Sequence, residues 1–96
     1  MTGLNMQEFK EALKGNHEIE FMYNGNGFVI QPELRGASVY LVIWQTGDNA
    51  ACIAEKKIAN NGQITDEDID FLLNQKCFGG RSFLDVEQNM VVSLVY

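Results

Sequence analysis

The side chains able to act as nucleophiles, bases or soft metal ligands are few and scattered: one histidine, His17, and two cysteines, Cys52 and Cys77. A Cys–His nucleophile pair needs the thiol within hydrogen-bond reach of the ring and a third group to orient it, so folding would have to bring Cys52 or Cys77 against His17. Two thiols and one imidazole fall short of a tetrahedral zinc set and lack its paired spacing. Cys77-Phe78 closely follows an apolar helical stripe, which makes core packing the simpler role for Cys77. Gly79-Gly80-Arg81 is too short for a phosphate cradle, and the dinucleotide, phosphate-loop, nucleophile-elbow and zincin motifs are absent. One enzyme or ligand-binding arrangement survives, a pocket near His17, Cys52 and Arg81, with no cofactor and no metal.

The carboxylates are more suggestive. Asn61-Gly62-Gln63-Ile64-Thr65 with Asp68 has the register of the second half of a calcium-binding EF-hand loop, yet that register puts Lys57 at the first ligand position and Ala59 at the third. A glycine turn running into a capped helix accounts for the same residues. Asp66, Glu67, Asp68 and Asp70 then crowd the first turns of that helix, where its dipole favours negative charge. Asp66, Glu67 and Asp70 form a candidate acidic patch for a basic partner, and Asp66 with Asp70, one turn apart, a candidate weak divalent site; a solvated helix start is the plainer account.

Ninety-six residues fit one domain, 1–96, with 46% hydrophobic residues to build its core. The net charge of −6 opposes binding to a phosphate backbone, so no nucleic-acid partner is expected. Met1-Thr2-Gly3-Leu4 lacks the charged start and long apolar run of a secretory signal, and the longest apolar run, residues 39–44, is far below the ~20 residues that span a bilayer. These features predict a cytoplasmic protein with no membrane partner and with both cysteines as free thiols.

Elements capable of holding these residues can be read from spacing. Asn5 and Glu8 form a capping box for a helix from Met6 to Lys14, with Met6, Phe9, Ala12 and Leu13 on one face and Gly15 after its end. Ile19, Phe21 and Tyr23 alternate with Glu18, Glu20 and Met22 as in a half-buried strand, and Asn24-Gly25 and Asn26-Gly27 supply positive φ for the reversal into Phe28, Val29 and Ile30. Pro32 belongs at a strand end or edge. Residues 39–44 are apolar on both faces, as in a central strand. In residues 50–59 alanine, Glu55 and the lysines favour helix whereas position in a meander favours strand, and strand is the reading taken. Thr65 and Asp68 cap a second helix with Ile69, Leu72 and Leu73 buried, Gly79-Gly80 stops it, residues 82–87 turn, and the uncharged run 90–96 is a terminal strand.

In Phe21, Tyr23, Asn24, Gly25, Phe28 and Ile30 the chain resembles small uncharacterised bacterial proteins in which a short N-terminal helix leads into a Phe-x-Tyr-Asn-Gly hairpin. The resemblance covers about a third of the chain and implies a fold rather than an activity.

The predicted architecture is α+β: a mainly antiparallel sheet of four to five strands with two helices on one face, in the order α-β-β-β-β-α-β. Two short helices cover little more than one face, so another surface is expected to cover the second, either a protein partner or the other half of a homodimer. A non-enzymatic interaction or regulatory module fits best. Tyr40, Trp44, Val91, Leu94 and Tyr96 are its predicted contacts, because aromatic anchors dominate binding energy and an uncharged terminal strand lacks the lysines that guard a sheet edge.

Overall fold

The computed structural model describes residues 1–96, the side chain of residue 60 excepted. The chain runs α1 (Met6–Lys14), β1 (Ile19–Tyr23), β2 (Asn26–Arg35), β3 (Ser38–Gln45), β4 (Ala51–Ile58), α2 (Asp66–Leu73), α3 (Phe83–Val86) and β5 (Val91–Val95). All five strands join one antiparallel sheet in the order β4-β3-β2-β1-β5. The class and the element order match the sequence reading, with residues 51–58 in the strand state and one extra helical turn, α3.

Local chemistry accounts for each boundary. The Asn5 side chain accepts from Glu8 N–H at 2.8 Å while the Glu8 carboxylate accepts from Asn5 N–H at 3.1 Å, the reciprocal capping box that starts α1. Thr65 with Asp68 starts α2, and Ser82 with Asp85 starts α3, in the same way. Asn24 and Gly25, at φ 55° and 80°, make the two-residue turn between β1 and β2. Asn26 and Gly27 are already inside β2, so only the first of the two Asn-Gly pairs turns the chain.

Pro32 sits within β2 yet leaves no ladder bond broken. Thr46 N–H donates to Gly27 O at 2.9 Å, and alternation from that bond turns the nitrogen of residue 32 away from β3. On that side β1 has already ended, its Ile19 lying opposite Ile30.

The Gly79-Gly80 pair has a different role from the one expected of it. Helix α2 ends earlier, at Leu73 with Asn74 as cap, and the two glycines at φ 63° and 85° form a tight reversal in which Phe78 and Arg81 exchange backbone hydrogen bonds of 2.9 and 3.2 Å. The reversal sets Phe78 among Phe21, Phe28 and Phe83, with ring centroids 5.2 to 6.4 Å apart. Packing rather than helix termination is what these glycines serve.

The core lies between one face of the sheet and the helices. Phe9 and Leu13 of α1, Ile69, Leu72 and Leu73 of α2, and Phe83 and Val86 of α3 meet Ile19, Phe21, Phe28, Ile30, Leu41 and Ile43. Ion pairs Lys10–Asp70 at 2.7 Å and Lys14–Asp66 at 3.0 Å hold α1 to α2 across the top of this layer. No helix is long and apolar enough to cross a membrane.

Candidate functional site

Strand register decides which residues share the sheet face that carries no helix. Trp44 lies opposite Cys52 and Val29, Val29 opposite Glu20, and Glu20 opposite Leu94, so one row crosses all five strands. Tyr40 pairs with Glu33 and Lys57, Val42 with Gln31 and Glu55, and Met22 with Val91, all on the same face. The five predicted contact residues fall on two groups here. Tyr40 and Trp44 lie on β3, Val91 and Leu94 on β5, and Tyr96 just beyond β5; β3 and β5 are three strand spacings apart, about 14 Å.

The two groups differ in what covers them. Around β3 the cover is intramolecular: the Arg35 guanidinium lies 4.8 Å from the Tyr40 ring centroid, donates to Glu33 at 2.7 Å and to Glu55 at 3.1 Å, and reaches Cys52 Sγ at 3.8 Å. Bonded chiefly to Glu33, the guanidinium is held above its already high pKa and stays charged. In the midst of these side chains Val42 is 0% exposed although no helix touches its face. Tyr40 and Trp44 are themselves half-buried, and Trp44 Nε1 is enclosed without an acceptor among the described residues. Around β5 there is no such cover: Met22, Val91, Leu94 and Tyr96 are 42, 46, 46 and 58% exposed. The apolar character of β3 is thus accounted for within the chain, whereas the apolar side chains around β5 are left exposed.

The sheet edges differ as well. Strand β4 carries Glu55, Lys56 and Lys57, charges that discourage edge pairing. Strand β5 carries no charge; its free side is crossed by the N-terminal segment, where Thr2 N–H donates to Met90 O at 2.9 Å and Val92 N–H to Thr2 O at 2.8 Å. Residues 93–96 extend past that strap. A bulge at Ser93 shifts the pairing with β1 between Glu20 and Phe21, and the Ser93 hydroxyl is 3.2 Å from Glu20 O.

The residues of the alternative pocket are dispersed. His17 lies before β1, with its Nδ1 in hydrogen-bond contact with Tyr96 O, about three strand spacings or 14 Å from the β4 strand that carries Cys52. Cys52 is on the helix-free face, and Arg81 is bonded to Phe78 on the helical side. Cys77 instead lines a surface cavity of about 240 Å³ with Tyr23, Asn24, Asn26, Gln45 and Phe78, and burial pushes its thiol pKa up, away from thiolate chemistry at neutral pH.

The acidic patch at α2 is largely occupied from within. Asp66 pairs with Lys14, Asp70 with Lys10, and Asp68 with Lys56 at 3.5 Å. Lys57 is in β4 opposite Tyr40, so a strand stands where an EF-hand loop would begin. No family model, curated protein or solved structure matches the chain, and its candidate site is defined by geometry alone.

Proposed function

We propose that the chain is a cytoplasmic protein-interaction module that regulates or inhibits the protein it covers, and that its contact surface is the helix-free sheet face on the β1–β5 side. The observation that carries this reading is one-sided layering: the helices cover one face, while Met22, Val91, Leu94 and Tyr96 stay exposed together on the β1–β5 side of the other. Exposed apolar clusters with an unguarded sheet edge are the usual signature of association. A second copy is one admissible occupant of this surface and a different protein the other. The free cysteines suit a reducing compartment.

Leu94→Glu tests the reading. Leu94 is exposed and outside the core, so the variant should keep its urea midpoint while losing whichever association the unmodified chain shows, with itself in sedimentation or with a stoichiometric partner that co-purifies. Association that persists unchanged in a folded Leu94→Glu protein removes this face from consideration.

A further inference from the structure

Charge distribution on the same face narrows the partner. Glu33 and Glu55 are bonded to Arg35, and on the helical side Asp66, Asp68 and Asp70 each have a lysine. Glu20 of β1 and Glu18 just before it, both flanking the β5 side, have no ion pair among the described residues. Glu20 lies opposite Leu94 and Tyr96 N–H donates to Glu18 O at 2.9 Å, which places both residues directly beside β5, and Glu20, chiefly by hydrogen bonding, raises the pKa of the Tyr96 phenol. The β5 side of the face is therefore apolar and uncharged at its rim, with two uncompensated carboxylates one strand further in.

We propose that the free edge at residues 93–96, through the outward backbone groups of Ser93 and Val95, accepts an extended cationic segment of a partner protein, which adds a strand to the sheet and reaches Glu18 and Glu20 with its Lys or Arg side chains. This rests on the interaction reading above and specifies the partner. A side chain opposite Leu94 on an added strand lies two spacings, about 10 Å, from Glu20, a span that a Lys or Arg stem covers by lying over the exposed Leu94. Backbone bonding supplies affinity without sequence demands, and the carboxylates select the sign of the incoming charge. A second copy fits less well. Four edge residues paired about a two-fold axis give a ladder of only about 14 Å, well short of the roughly 800 Å² per partner of a stable interface. Each copy would also add a net charge of −6 and bring no cation on β5.

The test uses the full chain and three blocked octapeptides, alternating Lys-Val, Thr-Val and Glu-Val. The Lys-Val peptide should bind and slow amide exchange at Val95, whose N–H faces outward because Tyr96 N–H already donates to Glu18 O on the β1 side, and Glu18→Gln/Glu20→Gln should weaken it about tenfold. The control Glu8→Gln/Glu11→Gln removes the same charge from α1 and preserves its capping pattern, so it should leave binding within about twofold. Equal losses in both double variants would reduce the effect to net charge and overturn the proposal. So would Thr-Val binding as tightly as Lys-Val, no Lys-Val binding at about 1 mM, or a wild-type dimer already protecting the β5 amides. If Leu94→Asn, which removes the apolar contact without adding charge, abolishes binding while Glu18→Gln/Glu20→Gln does not, the interaction face stands and the cationic partner falls; if neither matters, both fall.

Discussion

Arg35 shows how a single side chain changes what a strand pattern means. A run apolar on both faces reads as a strand awaiting cover, yet Val42 is fully buried on the helix-free face, where a guanidinium fixed by Glu33 and Glu55 is laid against Tyr40 and bonded to the residue opposite Val42. Arg35→Ala should expose Val42 and leave two carboxylates facing each other, lowering the urea midpoint. Arg35→Lys should recover only part of the loss, since an ammonium lacks the planar fork that serves both acceptors and the ring. Equal midpoints for wild type and Arg35→Ala would mean that the cluster contributes nothing and that Val42 is sealed by Tyr40 and Trp44 alone. Because this cluster depends on register between β2, β3 and β4, no local spacing in the sequence marks Arg35 as its centre. Tyr40 and Trp44 were visible as aromatic residues, but their half-burial under it was not.

At the level of elements, three helix starts use one device, a side chain that accepts from the N3 amide and an N3 carboxylate that accepts in return. Asp85 is held below the ordinary carboxylate range first by the Ser82 backbone N–H, and Asp66 first by its hydrogen bond with Lys14. A folded-state pKa depressed below the unfolded one stabilises above the unfolded value, and that contribution is lost as pH falls through the folded value. Stability should hold down to about pH 4 and decline below it. Asp66→Asn/Asp85→Asn should be less stable at neutral pH and should flatten the acid decline; an unchanged slope in urea midpoint against pH would assign the acid sensitivity to other carboxylates. Asn5 with Glu8 and Thr65 with Asp68 were readable because an amphipathic helix follows each. Ser82 with Asp85 carries the same signature, but one turn of helix has no period to announce it. Gly79-Gly80 was misread for a related reason: a helix stop and a two-residue reversal both require positive φ, and only the position of Phe78 in the core distinguishes them.

Across the whole molecule, the sheet has one guarded edge and one edge guarded only in part. Lysines protect β4, whereas β5 depends on the strap in which Thr2 bridges Met90 and Val92. The strap leaves residues 93–96 open, long enough for a flexible partner segment and short for two rigid copies to pair. Gly3 makes this crossing possible: at φ 102°, a Cβ there would stand 3.0 Å from Val92 O and 3.1 Å from Val92 Cβ. Gly3→Val should therefore lift the strap, loosening Met1 and Leu4 where they pack against the core while leaving the fully buried residues from Phe9 onward in place. With the outer edge of residues 90–96 then open, two copies gain a ladder nearly twice as long, and the strand's uncharged apolar sequence favours edge-to-edge association. Sedimentation velocity should show Gly3→Val dimerising at concentrations where the wild type is monomeric, with Val92 amide exchange accelerated in the remaining monomer. A variant that exchanges faster at Val92 yet stays monomeric would mean that something other than the strap, such as the twist introduced at the Ser93 bulge, keeps copies of this edge apart.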